Sequence, residues 1–174
     1  GWLATAPAIG TQPVAQTATV GQTVTFTVAS TGDLLGYQWR KNGVAIAGAT
    51  DATLTLANVQ PADVGSYTVT ISNHLGTVTS NVATLSGSGP APVITTQPQN
   101  VMVTSGQPAT LSVTATGTTL SYQWRRNGVA LPGATNASYT IASAVRADAD
   151  FYDVLVLDRL TPMASQTVRL AVAP

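Results

Sequence analysis

The chain is written twice. Laid over itself at a shift of 85 residues, Pro7–Gly89 matches Pro92–Pro174 at 34 of 83 positions without a gap. No other property of the 174 residues limits the fold as much, because each copy must close its own core within its own half. Copies of this size lie near the small end of chains that fold unaided. Between them Ser86-Gly-Ser-Gly-Pro-Ala-Pro92 reads as a short joint, flexible by its Gly and Ser and stiffened by its two prolines. The expected organisation is a first domain over 7–86, a linker over 87–91 and a second domain over 92–174. Residues 1–6 (GWLATA) read as an N-terminal linker or remnant of something longer.

Within the first copy, Val24-Thr-Phe-Thr-Val28, Thr53-Leu-Thr-Leu-Ala57 and Tyr67-Thr-Val-Thr-Ile71 alternate apolar with polar residues. Period two gives each strand one face for a core and one for water. The polar half of that pattern is largely Thr, with 28 copies against one Lys and no Glu, and β-branched Thr suits a pleated surface better than a helix. Asn42-Gly43 follows one such strand, and Asn127-Gly128 repeats it. Asn-Gly is the strongest short hairpin signal, since both central residues of a type I′ turn need positive φ. Asn73-His-Leu-Gly76 reads as another hairpin loop. With no sustained helical period anywhere, the fold class is all-β, with about seven to eight strands per copy forming a sandwich.

The spacing Gly21-x-x-Val24-x-Phe26-x-Val28, Tyr37-x-Trp39, Leu54-x-Leu56 and Asp63-x-Gly65-x-Tyr67-x-Val69 resembles an immunoglobulin-like domain of the I-set kind. The second copy carries Gly106, Leu111-x-Val113, Tyr122-x-Trp124, Tyr139-x-Ile141 and Asp148-x-x-x-Tyr152-x-Val154. The resemblance implies Greek-key sandwiches with Trp39 and Trp124 at their centres and Tyr67 and Tyr152 as tyrosine corners. It places Val28, Val69, Val113 and Val154 where disulfide-bonded members carry half-cystines. A disulfide closing such a loop would contribute about 3 to 4 kcal/mol, while each buried valine contributes about 1.5 to 3 kcal/mol. Cysteine is absent altogether, which removes disulfides and thiolate chemistry. Cysteine-free, Thr-rich tandem copies resemble modules of bacterial surface and secreted proteins, and that resemblance implies an extracellular or cell-surface location.

The repeated GYQWRKNG and SYQWRRNG admit two readings. A binding patch would use Tyr37 and Trp39 for stacking, with Arg40 and Lys41 for charge. A core strand would turn Tyr37 and Trp39 inward and leave Gln38 and Arg40 on the water side. Alternation favours the core, leaving Arg40, Lys41, Arg125 and Arg126 as possible ligand contacts or as solvated charges guarding a sheet edge. Asp148, Asp150 and Asp153 form the one acidic cluster and are a calcium candidate, although the oxygen spacing of a calcium loop is missing. Turn chemistry accounts for Asp148 and for Asp63 alike. His74, the sole histidine, reads as a surface loop residue, and Asn136-Ala-Ser138 is a formal glycosylation acceptor on a turn.

Seven basic residues balance seven acidic ones, and only 8% of the chain is charged. Nucleic acid and anionic membranes select basic faces, so neither is an expected partner, and no apolar run approaches a membrane span. No nucleophile, base and orienting acid recur in either copy, so no catalytic residue and no cofactor are expected. The expectation is a monomeric, non-enzymatic spacer or stalk pair in an exported bacterial protein, whose partners are neighbouring domains of the same polypeptide. The alternative is an adhesive or carbohydrate-binding module acting on a protein or glycan through its loops. Outside the core candidates, only Trp2, Tyr139 and Phe151 are left to bind a sugar by stacking.

Overall fold

The computed structural model describes residues 3–174, so Gly1 and Trp2 lie outside the described residues. The chain divides into two compact units, Gly1–Ser88 and Gly89–Pro174. Unit 1 runs β1 (Ala8–Thr11), β2 (Gln16–Thr17), β3 (Val24–Thr27), β4 (Ala29–Thr31), β5 (Gly36–Lys41), β6 (Val44–Ala45), β7 (Thr53–Leu56), β8 (Gly65–Asn73), β9 (Gly76–Thr79) and β10 (Ala83–Ser86). Unit 2 repeats the series as β11 (Val93–Thr96), β12 (Val101–Thr104), β13 (Ala109–Ser112), β14 (Thr114–Thr116), β15 (Leu120–Arg126), β16 (Val129–Ala130), β17 (Ser138–Ile141), β18 (Asp150–Asp158), β19 (Thr161–Ala164) and β20 (Val168–Ala173).

One layer of unit 1 has the order β2-β10-β8-β5-β6, with β9 also on β8, and the facing layer comprises the pairs β1-β4 and β3-β7. Unit 2 repeats both layers with β12-β20-β18-β15-β16, β11-β14 and β13-β17. The ten segments are seven strands, because the first, second and last strands of each copy are interrupted. The first changes layer: β1 pairs antiparallel with β4, whereas β2 pairs parallel with β10. The repeated Thr-Gln-Pro explains the change. Pro13 and Pro98 have no N–H to continue a ladder and are buried at the break. The preceding Gln12 accepts the Asn81 N–H through Oε1 at 2.9 Å, and Gln97 accepts that of Gln166 at 2.9 Å. Each glutamine thereby ties the break in the first strand to the break in the last.

Trp39 stands opposite Val69 on β8, and Trp124 opposite Val154 on β18. Both tryptophans are fully buried, and their Nε1–H groups donate to Asp51 O and Asn136 O at 2.8 Å. Val28, Val69, Val113 and Val154 are buried around them, so aliphatic packing fills the place of a disulfide. Tyr67 donates to Asp63 O at 2.5 Å and Tyr152 to Asp148 O at 2.7 Å, the tyrosine-corner bond in both copies. The facing layer carries its aromatic ring on different strands in the two units. Phe26 of β3 pairs with Leu54 of β7, whereas Leu111 of β13 pairs with Tyr139 of β17. Phe26 stacks on Tyr67 at 5.0 Å, and Tyr139 lies 6.5 Å from Trp124 and 6.3 Å from Tyr152. Tyr139, read from the sequence as a spare surface aromatic, therefore packs against the core.

Asn42 and Gly43 have φ of 49° and 82°, and Asn127 and Gly128 have 51° and 77°, the left-handed pair that the hairpin turn requires. Within the stretch read as a linker, Thr5 bonds to unit 1. Thr5 N–H donates to Asp33 Oδ2 at 2.5 Å, and Asn73 Nδ2 donates to Thr5 O and Asp33 O at 2.8 Å. Thr5 is thereby tied to two loops of unit 1 by paired polar groups.

Candidate functional site

Adjacent strands β5 and β8, and β15 and β18, bring the charged ends of the GYQWRKNG and SYQWRRNG stretches beside their partners. Arg125 stands across from Asp153, and its guanidinium is bidentate to that carboxylate at 2.9 and 2.5 Å. Arg126 donates to Asp150 Oδ2 at 2.9 Å and to Ala147 O at 2.5 Å, with its guanidinium 5.8 Å from the Tyr152 ring. Phe151 N–H and Arg126 hold the Asp150 carboxyl below the usual carboxylate range. Asp148 points elsewhere, accepting the Val145 N–H at 2.8 Å to start a single 3₁₀ turn. The three acids of the calcium candidate thus serve separate sets of protein donors, Val145 on Asp148, Arg126, Asn127 and Phe151 on Asp150, and Arg125 on Asp153. Among the described residues no group of three or more potential ligands converges on a metal position.

In unit 1 the acids opposite this pair are replaced by Thr68 and Gly65. Arg40 reaches Thr70 Oγ1 at 3.4 Å, and Lys41 donates to the Ala62 carbonyl. Burial pulls the Lys41 amine below its usual value, with Asp63 acting in the opposite direction. Arg40 and Lys41 are half-buried and carry no ion pair among the described residues. His74 is exposed on the turn between β8 and β9, and Asn136 is exposed ahead of β17.

Several structural polar groups carried no signal that sequence reasoning used. Gln38, assigned to the water side by alternation, donates through Nε2 to Trp39 O at 2.9 Å and Ile46 O at 2.8 Å. Gln123 does the same to Trp124 O and Leu131 O at 2.9 and 2.8 Å. Ser80 and Ser165 are buried where the last strand breaks, and their hydroxyls accept the Val69 and Val154 N–H groups at 2.9 Å. All four occupy positions identical between the copies, so the duplication itself was the signal that could have found them.

The family model of the immunoglobulin I-set domain matches residues 7–85, and a second model, of an immunoglobulin domain, matches 91–156. The chain belongs to the immunoglobulin family. Its two immunoglobulin domains align with endoglucanase C of Cellulomonas fimi at 29% identity, over 97% of this chain and 16% of that protein. The muscle M-line assembly protein unc-89 of Caenorhabditis elegans matches at 30% identity, over 74% of this chain and 2% of the relative. The decoration protein of Escherichia phage T5 is 40% identical over 40% of this chain and 45% of its own length. The chain thus spans less than half of each of these relatives. Among solved structures, the tandem Ig repeats of Dlar align with a TM-score of 0.53 at 24% identity, covering 96% of this chain and 97% of that one. A chimeric titin Z1Z2 tandem aligns with a TM-score of 0.51 at 24% identity, covering 97% and 100%. At that identity the likeness is one of fold. No helix among the described residues is long and apolar enough to cross a membrane.

In these immunoglobulin domains the polar side chains that a site would recruit are largely engaged in holding strands together. What those bonds do is set registers and close loops. The carboxylates of Asp148, Asp150 and Asp153 each accept from backbone N–H, guanidinium or amide groups of their own unit.

Proposed function

We propose that the two immunoglobulin domains are a non-catalytic spacer pair within a larger exported bacterial protein, each sandwich supplying a rigid length to the polypeptide. One observation carries this reading. The same bonds recur in both copies around Trp39 and Trp124, Gln38 and Gln123, Ser80 and Ser165, and Gln12 and Gln97. Chemistry maintained in duplicate is chemistry that builds the sandwich, as a module valued for its length requires. The relatives add support, since each holds the matched region within a longer chain. The test is a swap: unit 1 in the parent protein is replaced by an unrelated sandwich of equal length. Full retention of the parent's activity is the expected result, and loss of activity with the swapped domain folded would overturn the spacer reading.

A second reading, an accessory module beside a polysaccharide-acting domain, is favoured by the match of nearly the whole chain to part of endoglucanase C. Saturable binding of one defined polysaccharide by the isolated chain would establish it in place of the first.

A further inference from the structure

One face differs in kind between the two copies. In unit 1 the outward side chains of β2, β8 and β10 include Thr17, Ser66, Thr84 and Ser86, a hydroxyl surface matched to water. The equivalent positions of unit 2, on β12, β18 and β20, are Met102, Phe151, Arg169 and Ala171. Cross-strand pairing places Met102 beside Ala171 and Phe151 beside Arg169. Met102 is 77% exposed and Phe151 53%, so neither large side chain is used by the core of its own unit. Unit 1 shows that the sandwich forms without them. Exposed Met102 and Phe151, at positions where the sister copy carries Thr17 and Ser66, mark a contact surface rather than a folding requirement.

Charge and backbone define what fits there. Arg125 and Arg126 are neutralised by Asp153 and Asp150, whereas Arg169 has no carboxylate within 4.0 Å among the described residues. The face therefore presents apolar surface and one free guanidinium. A recess of about 250 Å³ between Asn100, Val101, Met102, Arg169 and Ala171 opens beside it. That recess lies along β12, the outermost strand of its layer, whose Val-Met-Val-Thr sequence contains no Lys, Pro or other blocking residue. An unguarded edge offers a row of N–H and C=O groups to an extended chain. The unit 1 counterpart β2 is two residues long against four in β12, and offers much less of such a row.

We propose that this face of unit 2 docks an extended segment of a partner protein that carries apolar side chains and a carboxylate. The segment adds as a strand along β12, packs its apolar side chains against Met102, and turns its carboxylate toward the Arg169 guanidinium across the recess. This contact goes beyond the spacer reading and is confined to the copy that the swap leaves intact.

The probe is a short synthetic peptide alternating valine with serine and carrying one central aspartate, titrated into the isotope-labelled full chain and followed by amide chemical shifts. The expected result is saturable shifts at Val101–Thr104, Phe151 and Arg169, with none at Thr17, Ser66 or Thr84. A lysine in place of the aspartate should weaken binding by about tenfold. The variant M102T/F151S/R169T, built from the residues unit 1 already carries, should lose the shifts while keeping its unfolding temperature. R169T alone should lose only the preference for aspartate over lysine. Equal affinity for both peptides, shifts that persist in the triple variant, or no saturable shift would overturn the proposal. Concentration-dependent shifts of the same resonances without peptide would also overturn it, by assigning the face to a second copy of the chain.

Discussion

Replacing Trp39 with Ala removes the largest side chain at the centre of unit 1 and leaves unit 2 as an internal control. The indole is fully buried, with the Phe26 ring 6.3 Å away and Val69 opposite it on β8. Truncations of that kind cost about 3 to 5 kcal/mol. Loss of the 2.8 Å Nε1–H bond also strands the Asp51 carbonyl, a further cost of about 1 kcal/mol or more. An immunoglobulin domain of this size has a total stability of about 4 to 12 kcal/mol. The substitution therefore consumes from a third to all of it, and a loss of about 4 kcal/mol lowers the midpoint of unit 1 by about 16 to 32 °C. Calorimetry of the full chain should show one transition moved by that amount or missing. Tryptophan fluorescence on a Trp2→Phe background, in which Trp124 alone reports on unit 2, should keep the unit 2 midpoint found without the Trp39 substitution. An unmoved calorimetric trace would refute the burial argument, and a matching fall in the Trp124 midpoint would refute the independence of the two cores.

Gln123→Ala should lower the stability of unit 2 by about 1 to 2 kcal/mol, since two carbonyls lose a donor; urea unfolding together with faster amide exchange at Leu131 would check it. Phe26→Leu in unit 1 should cost about 1 to 3 kcal/mol, and adding Leu54→Tyr should recover part of it, because unit 2 packs the same pair with the ring on the other strand. A double-mutant cycle without favourable coupling would count against interchangeable packing. The Thr118 and Thr119 N–H groups hold the Asp158 carboxyl below its ordinary range. Because the folded value is the lower one, its contribution is present above the unfolded carboxylate range and is lost as pH falls through the folded value. Asp158→Asn should therefore flatten the acid limb of unit 2 and leave that of unit 1 unchanged. For Arg125 and Asp153, with side chains 25% and 13% exposed, the coupling energy should be about 1 kcal/mol and fall with salt. Arg40→Ala should change the stability of unit 1 by less than about 0.5 kcal/mol.

The properties legible in the sequence were those carried by short stretches. Alternation in Val24–Val28 and Tyr67–Ile71 depends only on the two-residue strand period. The turns at Asn42-Gly43 and Asn127-Gly128 depend only on residues that tolerate positive φ. Together with the copy number they determined an all-β pair and the burial of Trp39 and Trp124. The same local rule misplaced Gln38, because a water-side position says nothing about carbonyls that a hairpin folds back within reach.

By itself, then, the sequence determined how many immunoglobulin domains there are, where their strands turn and which faces are apolar, since each follows from the backbone periods of neighbouring residues. The tertiary structure decided which polar groups are spent on the fold. Gln97 meets Gln166 across 69 residues and Arg125 meets Asp153 across 28, and such pairings exist only once the strands have chosen neighbours and register. It also set the fate of the aromatics, closing Tyr139 into the core beside Trp124 while leaving Phe151 in water. A side chain is committed or free according to what stands on the adjacent strand, and adjacency is a property of the sheet, not of the chain.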